Sequence, residues 1–313
     1  MNECTLSRLT GKNVSPLAFG VMQFGGKANA TESARMYTRA RAAGITVFDA
    51  AYIYTDGAAE TLLGEFAEGE RDDLILISKC AYRPGMRGTE LIAQVEESLR
   101  RLRTDYVDVM FLHRYPGDAL LEETLEAMKT LHAAGTYRML GASNFAAWEV
   151  MKAQSLASRI GSPPITILQP MYNLVKRQAE VEILPMAQRE GLSVLSYSPL
   201  GGGLLTGKYS QGGSGRIRED ERYAARYAPE WMAQAAARLD RMSAELNVPA
   251  PALAVAWARA HPGITAPIVS ASSESQMGAS LAAMEVTMDA ELYGRLSSLT
   301  PRPAPATDRL EEA

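Results

Sequence analysis

The chain has 313 residues, of which 47% are hydrophobic and 22% charged, a composition typical of a globular protein and unlike that of a disordered chain. The formal net charge of −4 argues against a nucleic-acid-binding protein and against a partner at an anionic membrane surface. No apolar run has the length of a spanning helix, residues 1–10 lack the apolar core of a secretory signal, and Cys4 and Cys80 are too few for a disulfide framework, so we expect a cytoplasmic protein.

Short runs rich in β-branched residues alternate with longer amphipathic stretches along the chain, which is the pattern of repeated strand–helix units. The predicted strands cover residues 14–22, 45–51, 74–80, 106–113, 136–143, 165–172, 192–199 and 265–271. Apolar stripes at helical spacing predict helices at 89–103 and 120–134, the second followed by Gly135 as its cap. Thr31 is the predicted N-cap of the helix after strand one.

Eight strand–helix units predict a (β/α)₈ barrel, and a doubly wound sheet with a second domain is the alternative. We see no linker, so we expect one domain over residues 1–300 and a proline-rich tail over 301–313. Residues 201–228, between strands seven and eight, are predicted to form a long irregular insert.

Polar residues stand at the ends of the predicted strands, where a barrel of this type carries its chemistry. They are Asp49, Lys79, His113, Ser143, Asn144, Gln169, Tyr197 and Ser198. In strand four, the alternation of Val107, Val109 and Phe111 places His113 at the end of an inward-facing apolar column.

Three of these side chains, together with Tyr54, suggest proton transfer. A lysine entering a barrel is costly to bury as a cation, and Asp49 on the neighbouring strand offers Lys79 a counter-ion. Tyr54 follows Asp49 by five residues, which brings its phenol back over Lys79. We expect the ammonium to pull the pKa of Tyr54 below its ordinary value of about 10, which makes the phenol a proton donor, while His113 hydrogen-bonds an incoming carbonyl oxygen. The set favours protonation of a developing alkoxide.

The order and spacing of several motifs from about residue 14 to residue 283 resemble those of the aldo-keto reductases, in particular the bacterial branch that is similar to the potassium-channel β-subunits. The motifs are GITVFDAAYIY at 44–54, Glu60 and Gly64, ISK at 77–79, FLHR at 111–114, GASNF at 141–145, Gln169, and YSPLGGGLLTGKY at 197–209. The resemblance implies a (β/α)₈ barrel that interconverts aldehydes or ketones and alcohols by hydride transfer. It implies that Tyr54 is the acid in reduction and the base in oxidation, that Lys79 and Asp49 tune it, and that His113 orients the carbonyl group.

The resemblance also implies a nicotinamide dinucleotide as cofactor. Ser143, Asn144 and Gln169 would hold the carboxamide, and Tyr197 would stack on the nicotinamide ring. The other implied contacts are Gly20, Val21 and Met22 at the ribose, Ser198, Pro199, Leu200, Gly201 and Lys208 at the pyrophosphate, and Arg216 or Arg218 at the adenine, with Asp49 counted among the cofactor contacts as well.

The segment after strand eight bears on the choice between the two dinucleotides. Ser270, Ser272, Gln276 and Ser280 are its implied cofactor contacts, and it includes Glu274 and no basic residue. Ser272 and Gln276 match positions that contact the 2′-phosphate in the channel-subunit branch. We therefore expect NADP(H), with NAD(H) usable.

Two other functions remain open alongside an NAD(P)H-dependent reductase with a small-molecule carbonyl or alcohol substrate. One is a cofactor-binding regulatory subunit with little turnover, and the other is an aldolase-like barrel with Lys79 as the Schiff-base nucleophile. A P-loop ATPase is rejected because Tyr209 stands where the motif needs Ser or Thr after Lys208.

Two groups outside the proton-transfer set are assigned from their position in the chain. Arg100, Arg101 and Arg103 are taken as solvated charges at a helix C-terminus. The candidate substrate-pocket residues follow strand ends and are Phe24, Tyr82, Arg83, Arg114, Tyr115, Phe145 and Trp148.

Overall fold

A closed parallel barrel of eight strands forms the centre of the computed structural model, which describes residues 4–209, 212–309 and 311. The strands are β1 Ala18–Gly20, β2 Val47–Asp49, β3 Ile75–Cys80, β4 Val107–Leu112, β5 Tyr137–Ser143, β6 Ile165–Gln169, β7 Ser193–Tyr197 and β8 Ala266–Val269. Each strand pairs with the next, and β8 pairs with β1. The predicted (β/α)₈ barrel is confirmed, and the doubly wound alternative is wrong.

Helices surround the barrel. They are α1 Thr5–Thr10, α2 Ala30–Ala42, α3 Ala58–Ala67, α4 Gly88–Leu102, α5 Leu121–Ala133, α6 Ala147–Ile160, α7 Ile183–Arg189, α8 Arg216–Glu219, α9 Glu221–Arg226, α10 Glu230–Leu246, α11 Ala250–Ala260, α12 Glu274–Leu281 and α13 Ala290–Ser297. Short 3₁₀ helices lie at Tyr54–Gly57, Arg71–Asp73, Gln178–Glu180, Gly201–Thr206 and Ala282–Met284. Within the described part of the chain, no helix has both the length and the apolar character needed to cross a bilayer.

The apolar core has two layers, one inside the barrel and one between the strands and the helices. Ile75 and Ile77 belong to the inner layer, so the alternation along β3 points Lys79 inward as predicted. Val107, at the start of β4, packs with the outer layer instead.

The N-terminal end of the barrel is covered by α1, an element that the sequence pattern did not predict. Leu6 packs in the inner layer, and its backbone N–H donates to Ser193 Oγ at 2.9 Å. The open mouth is therefore the end at which the strands finish, where the predicted site residues lie.

Three local predictions can be compared with the structure. Asn29, not Thr31, caps α2, because its side chain accepts from the backbone N–H of Glu32 at 3.0 Å. Gly135 follows α5 with φ of 78°, the left-handed conformation expected of a glycine after a helix. The 201–228 insert is less irregular than predicted, since it contains a 3₁₀ helix together with α8 and α9.

Candidate active site

The ends of β2 and β3 bring three of the predicted side chains into contact. Lys79 is 1% exposed, and its Nζ donates to Asp49 Oδ2 at 2.7 Å and to the carbonyl oxygen of Ala50 at 2.7 Å. The third bond of the ammonium, at 3.2 Å, is to the phenol oxygen of Tyr54. Because an ammonium group has three donors, these partners use all of them.

Tyr54 is placed by an unusual turn between β2 and α3. The two residues after it have left-handed backbone conformations, with φ of 46° at Thr55 and 53° at Asp56. Thr55 Oγ1 donates to the carbonyl oxygen of Phe24 at 2.7 Å and accepts from the backbone N–H of Ala59 at 3.0 Å. The turn is thus tied both to the loop after β1 and to the start of α3.

His113 lies beside Tyr54 at the end of β4. The ring centroids of the two side chains are 6.1 Å apart, and the ring of Tyr82 lies 5.0 Å from His113 on another side. His113 is 8% exposed, and its Nδ1 has no hydrogen-bond partner within the part of the chain that is described. Burial thus leaves Nδ1 without a partner among the described side chains.

Burial and the neighbouring charges together set the protonation of Tyr54, Lys79 and His113. It raises the pKa of Tyr54 above the ordinary value of 10.0, although Lys79 opposes the rise. Our expectation of a lowered pKa for this phenol is wrong, because desolvation outweighs the ammonium. Burial lowers the pKa of Lys79, but Asp49 and Tyr54 together more than offset it, so this pKa lies above 10.5. Burial, Lys79 and Arg114 lower the pKa of His113 to about 3. At neutral pH the site holds a protonated phenol, an ammonium and a neutral imidazole.

On the opposite wall, Gln169 at the end of β6 reaches Asp49. Gln169 Nε2 donates to Asp49 Oδ1 at 2.9 Å, and the backbone oxygen of Gln169 accepts from Ser143 Oγ at 3.0 Å. Two residues predicted to hold the carboxamide are thus connected to the carboxylate that pairs with Lys79.

Asn144 connects His113 to Tyr197. Its Nδ2 donates to the backbone oxygen of His113 at 2.9 Å, and its Oδ1 accepts from the phenol of Tyr197 at 2.7 Å. Asn144 has φ of 59°, so the chain reverses directly after β5. Ser143, Asn144, Gln169 and Tyr197, which we assigned to the nicotinamide, therefore lie on one continuous wall.

The loop after β7 gathers the residues predicted for the pyrophosphate. Pro199 and Gly201 are buried, Leu200 is half-buried, and Ser198, Gly201, Gly202 and Gly203 have positive φ. A β-carbon at Gly203 would lie 3.2 Å from Lys208 Nζ, so the glycine backbone and this cation are adjacent. Such a glycine-rich segment next to a cation suits a pyrophosphate.

The arginines predicted for the adenine lie on α8. The guanidinium carbon of Arg216 lies 5.6 Å from the ring centre of Tyr223, and Arg218 Nη1 donates to the carbonyl oxygen of Gly212 at 2.8 Å. Tyr223 lies on α9, and a β-carbon at Gly202 would lie 2.8 Å from its ring. No motif or spacing in the sequence pointed to Tyr223.

At the end of β1, Gly20 packs closely on the neighbouring strand. A β-carbon at Gly20 would lie 3.0 Å from Ile268 Cγ2, and the backbone N–H of Val21 donates to the carbonyl oxygen of Asp49 at 3.0 Å. Met22 is half-buried. Gly20, Val21 and Met22 therefore lie at the mouth beside the Asp49 strand.

The segment after β8 groups the residues predicted for the 2′-phosphate. Ser272 donates through both its backbone N–H, at 3.2 Å, and its Oγ, at 2.9 Å, to Gln276 Oε1. Ser270 precedes them and Ser280 is 5% exposed on α12. The carboxylate of Glu274 is paired with Arg39 of α2 at 2.9 Å, which offsets its charge.

The predicted pocket residues differ in how far their side chains are exposed. Arg114 Nη2 donates to the phenol of Tyr82 at 3.0 Å, next to His113, and Trp148 is 58% exposed. Tyr115 and Phe145 meet edge to face with their ring centroids 5.3 Å apart, and Arg83 is exposed. Phe24 is fully buried and packs against Phe19, so its assignment to the pocket wall is wrong.

One predicted solvated charge is buried instead. Arg100 and Arg103 fit the prediction, with side chains 73% and 47% exposed. The side chain of Arg101 is 15% exposed and pairs with Glu60, which is fully buried. Helix periodicity alone does not reveal this, because the partner comes from another helix.

The sequence is similar to those of known proteins. Residues 16–301 match the model of the aldo/keto reductase family. The chain is 32% identical to "Uncharacterized oxidoreductase YrpG" of Bacillus subtilis, over 97% of this chain and 98% of that protein. It is 30% identical to a probable voltage-gated potassium channel subunit beta of Oryza sativa, over 88% and 89%. It is 36% identical to human aflatoxin B1 aldehyde reductase member 4, over 65% and 63%.

Proposed function

Because the chain belongs to the aldo/keto reductase family and is an oxidoreductase of that family, we propose that it reduces an aldehyde or ketone with NADP(H), or runs the reverse reaction, with Tyr54 as the general acid and base. The contact of the Tyr54 phenol with Lys79, at 3.2 Å in the barrel mouth, carries this proposal.

The proposed mechanism moves one proton through the protein. The nicotinamide cofactor supplies the hydride when it is bound. His113 donates a hydrogen bond to the substrate oxygen, and Tyr54 gives that oxygen its proton as the alkoxide develops. Lys79 stabilises the tyrosinate that remains, and Asp49 keeps Lys79 charged. The tyrosinate regains a proton from solvent, and the reverse sequence oxidises an alcohol.

The residues at the mouth suit a dinucleotide. The glycine backbone after β7 lies next to Lys208, so it offers N–H groups and a cation to a pyrophosphate. Ser143, Asn144, Gln169 and Tyr197 would hold the nicotinamide end, and Arg216 or Arg218 the adenine end. Gly20, proposed for the ribose, packs closely on β8, where a β-carbon would lie 3.0 Å from Ile268 Cγ2.

We infer a preference for NADP(H), with NAD(H) usable, from the segment after β8. Ser272 and Gln276 lie within hydrogen-bond distance of each other, and the charge of Glu274 is offset by Arg39. Two neutral donors would bind a 2′-phosphate more weakly than an arginine does. Measuring kcat/KM with NADPH and NADH tests this inference, and a large preference for NADH would contradict it.

The two alternative functions differ in the support they receive. Similarity to a probable channel subunit beta favours a cofactor-binding regulatory subunit as the second candidate. The Schiff-base alternative is disfavoured, because Lys79 is held as an ammonium by Asp49 and an amine must lose its proton to attack a carbonyl carbon.

Loss of NADPH absorbance with a panel of aldehydes, including sugars and pyridoxal-like aromatic aldehydes, tests the proposal. Tyr54→Phe should lower kcat by about 100-fold or more, since the general acid is lost. A fluorescence titration should give an unchanged Kd for NADPH. Unchanged turnover in this variant would remove Tyr54 from the mechanism, and borohydride trapping of substrate on Lys79 would favour the aldolase-like alternative.

A further inference from the structure

An arginine of α4 is buried against the turn that carries Tyr54. Arg101 Nη1 donates to the carbonyl oxygen of Tyr52 at 3.0 Å, and its guanidinium carbon lies 4.6 Å from the ring centre of Tyr52. Arg101 therefore contacts both the backbone and the side chain of the residue two positions before Tyr54.

The same guanidinium pairs with a buried carboxylate that reaches the strand of Lys79. Arg101 Nη1 also donates to Glu60 Oε2 at 3.2 Å, and Glu60 Oε1 accepts from Ser78 Oγ at 2.5 Å. Glu60 and Ser78 are both 0% exposed, and Ser78 immediately precedes Lys79 in β3. Because a buried carboxylate needs a cation and hydrogen bonds, Arg101 ties α4 to α3 and, through Glu60, to β3.

The other end of the turn also packs on Arg101. Thr55, Asp56 and Gly57 have φ of 46°, 53° and 93°, three left-handed residues in succession. Such conformations cost energy for threonine and aspartate and persist only where the surroundings hold them. A β-carbon at Gly57 would overlap the guanidinium of Arg101, so the arginine packs directly against this glycine.

From these contacts we propose that Arg101 is a positioning residue for Tyr54, holding the phenol within hydrogen-bond distance of Lys79 by fixing both ends of the turn. The proposal rests on the proposed role of Tyr54 as proton donor. A displacement of about 1 Å would break the bond to Lys79, and a misplacement of this size lowers a rate by up to about 100-fold.

The test compares Arg101→Met with Arg100→Met, the same substitution at adjacent positions. We expect Arg101→Met to lower kcat for carbonyl reduction by about 10- to 100-fold. The Kd for NADPH should stay unchanged, because the side-chain partners of Arg101 among the described residues include none of those assigned to the dinucleotide. Arg100→Met should leave kcat and KM unchanged, since Arg100 pairs only with Glu97 of its own helix within the described structure. Full kcat in Arg101→Met would overturn the proposal.

A second variant covers the case in which Arg101→Met does not fold, since that change leaves Glu60 without its cation. Arg101→Lys keeps a positive charge for Glu60 but has no planar fork to contact Glu60, Tyr52 and Glu97 together. We expect Arg101→Lys to fold and to have a kcat between that of Arg101→Met and that of the wild-type protein. A fully active Arg101→Lys protein would show that the charge alone matters and that the contacts to the turn do not.

Repeating Arg101→Met in the Tyr54→Phe protein separates positioning from a general loss of structure. With no hydroxyl to place, the residual activity should not fall further, so the two losses should be non-additive. Equal losses in both backgrounds would refute a role that acts through Tyr54.

A readout independent of turnover is the NMR signal of Tyr54 in protein labelled with ¹³C at the tyrosine ζ carbon, assigned by its absence in Tyr54→Phe. Arg101→Met should shift this signal and its titration, and Arg100→Met should not. If the wild-type protein reduces no carbonyl compound, the proposed function fails, while an unmoved Tyr54 signal refutes the role of Arg101 by itself.

Discussion

Gln169 and Asp49 are hydrogen-bonded across the barrel, with Gln169 Nε2 donating to Asp49 Oδ1 at 2.9 Å. They end β6 and β2, which are four strands apart in a barrel of eight and so belong to opposite walls. The other oxygen of Asp49 accepts from Lys79 at 2.7 Å. One carboxylate thus receives a donor on each oxygen, which fixes its orientation below the phenol of Tyr54.

Asp49→Asn should therefore destabilise the folded protein. The amide presents an NH₂ group to one of two donors and leaves the Lys79 ammonium buried without a counter-ion. Removing one partner of a buried ion pair lowers the free energy of unfolding by about 3–5 kcal/mol. Urea denaturation measures this change, and kcat should fall with it. Asp72→Asn, at an exposed position, is the control, and an Asp49→Asn protein as stable as wild type would show that the ion pair contributes nothing.

The pH dependence of reduction should lack a histidine step. The pKa of His113 is lowered to about 3 and that of Tyr54 is raised above 10.0, so both groups keep one protonation state near neutrality. We expect kcat for reduction to stay constant between about pH 5 and pH 8, the range in which ordinary histidines titrate. An inflection near pH 6.5 that disappears in His113→Gln would contradict a neutral, buried imidazole.

The protein should lose stability at acidic pH because of His113. Its folded pKa of about 3 lies below the ordinary 6.5, so between these values the unfolded chain binds the proton that the folded protein excludes. Stability is therefore lost as the pH falls from 6.5, by at most about 1.4 kcal/mol per pH unit from this residue. Urea denaturation at several pH values should show a shallower loss in His113→Gln than in wild type, and equally steep losses in the two proteins would contradict this role of His113.

A surface ion pair joins the loop after β1 to α8. Lys27, after β1, bonds Glu219 of α8 at 2.6 Å, and the side chains are 59% and 43% exposed. We expect Lys27→Ala to leave the unfolding midpoint unchanged, because exposed pairs contribute little to stability. It should raise the NADPH dissociation rate severalfold in stopped-flow fluorescence, because α8 and the loop after β1 then separate more readily.

The exchanged pair Lys27→Glu with Glu219→Lys should restore the slow dissociation. Arg222→Ala is the matched control, since Arg222 pairs locally with Asp220 in the same segment. A dissociation rate that Lys27→Ala leaves at the wild-type value would mean that the pair does not retain the cofactor.

Local pattern was enough to predict the barrel and most of the mouth. The period-2 alternation of β3 and β4 placed Lys79 inward and His113 at a strand end, and both lie there. Alternation is a property of neighbouring residues, so it can be read without knowing what packs against the strand. The roles assigned to these side chains remain predictions.

Only the tertiary structure decided the environment of each group. The direction in which the pKa of Tyr54 shifts depends on how fully the phenol is buried. Burial outweighs the charge of Lys79, which is the influence that the sequence predicted. The prediction of a solvated Arg101 is wrong, because its partners Glu60 and Tyr52 come from elements distant in the chain. Desolvation and long-range ion pairs depend on atoms that folding brings together, whereas strand alternation depends only on the order of residues.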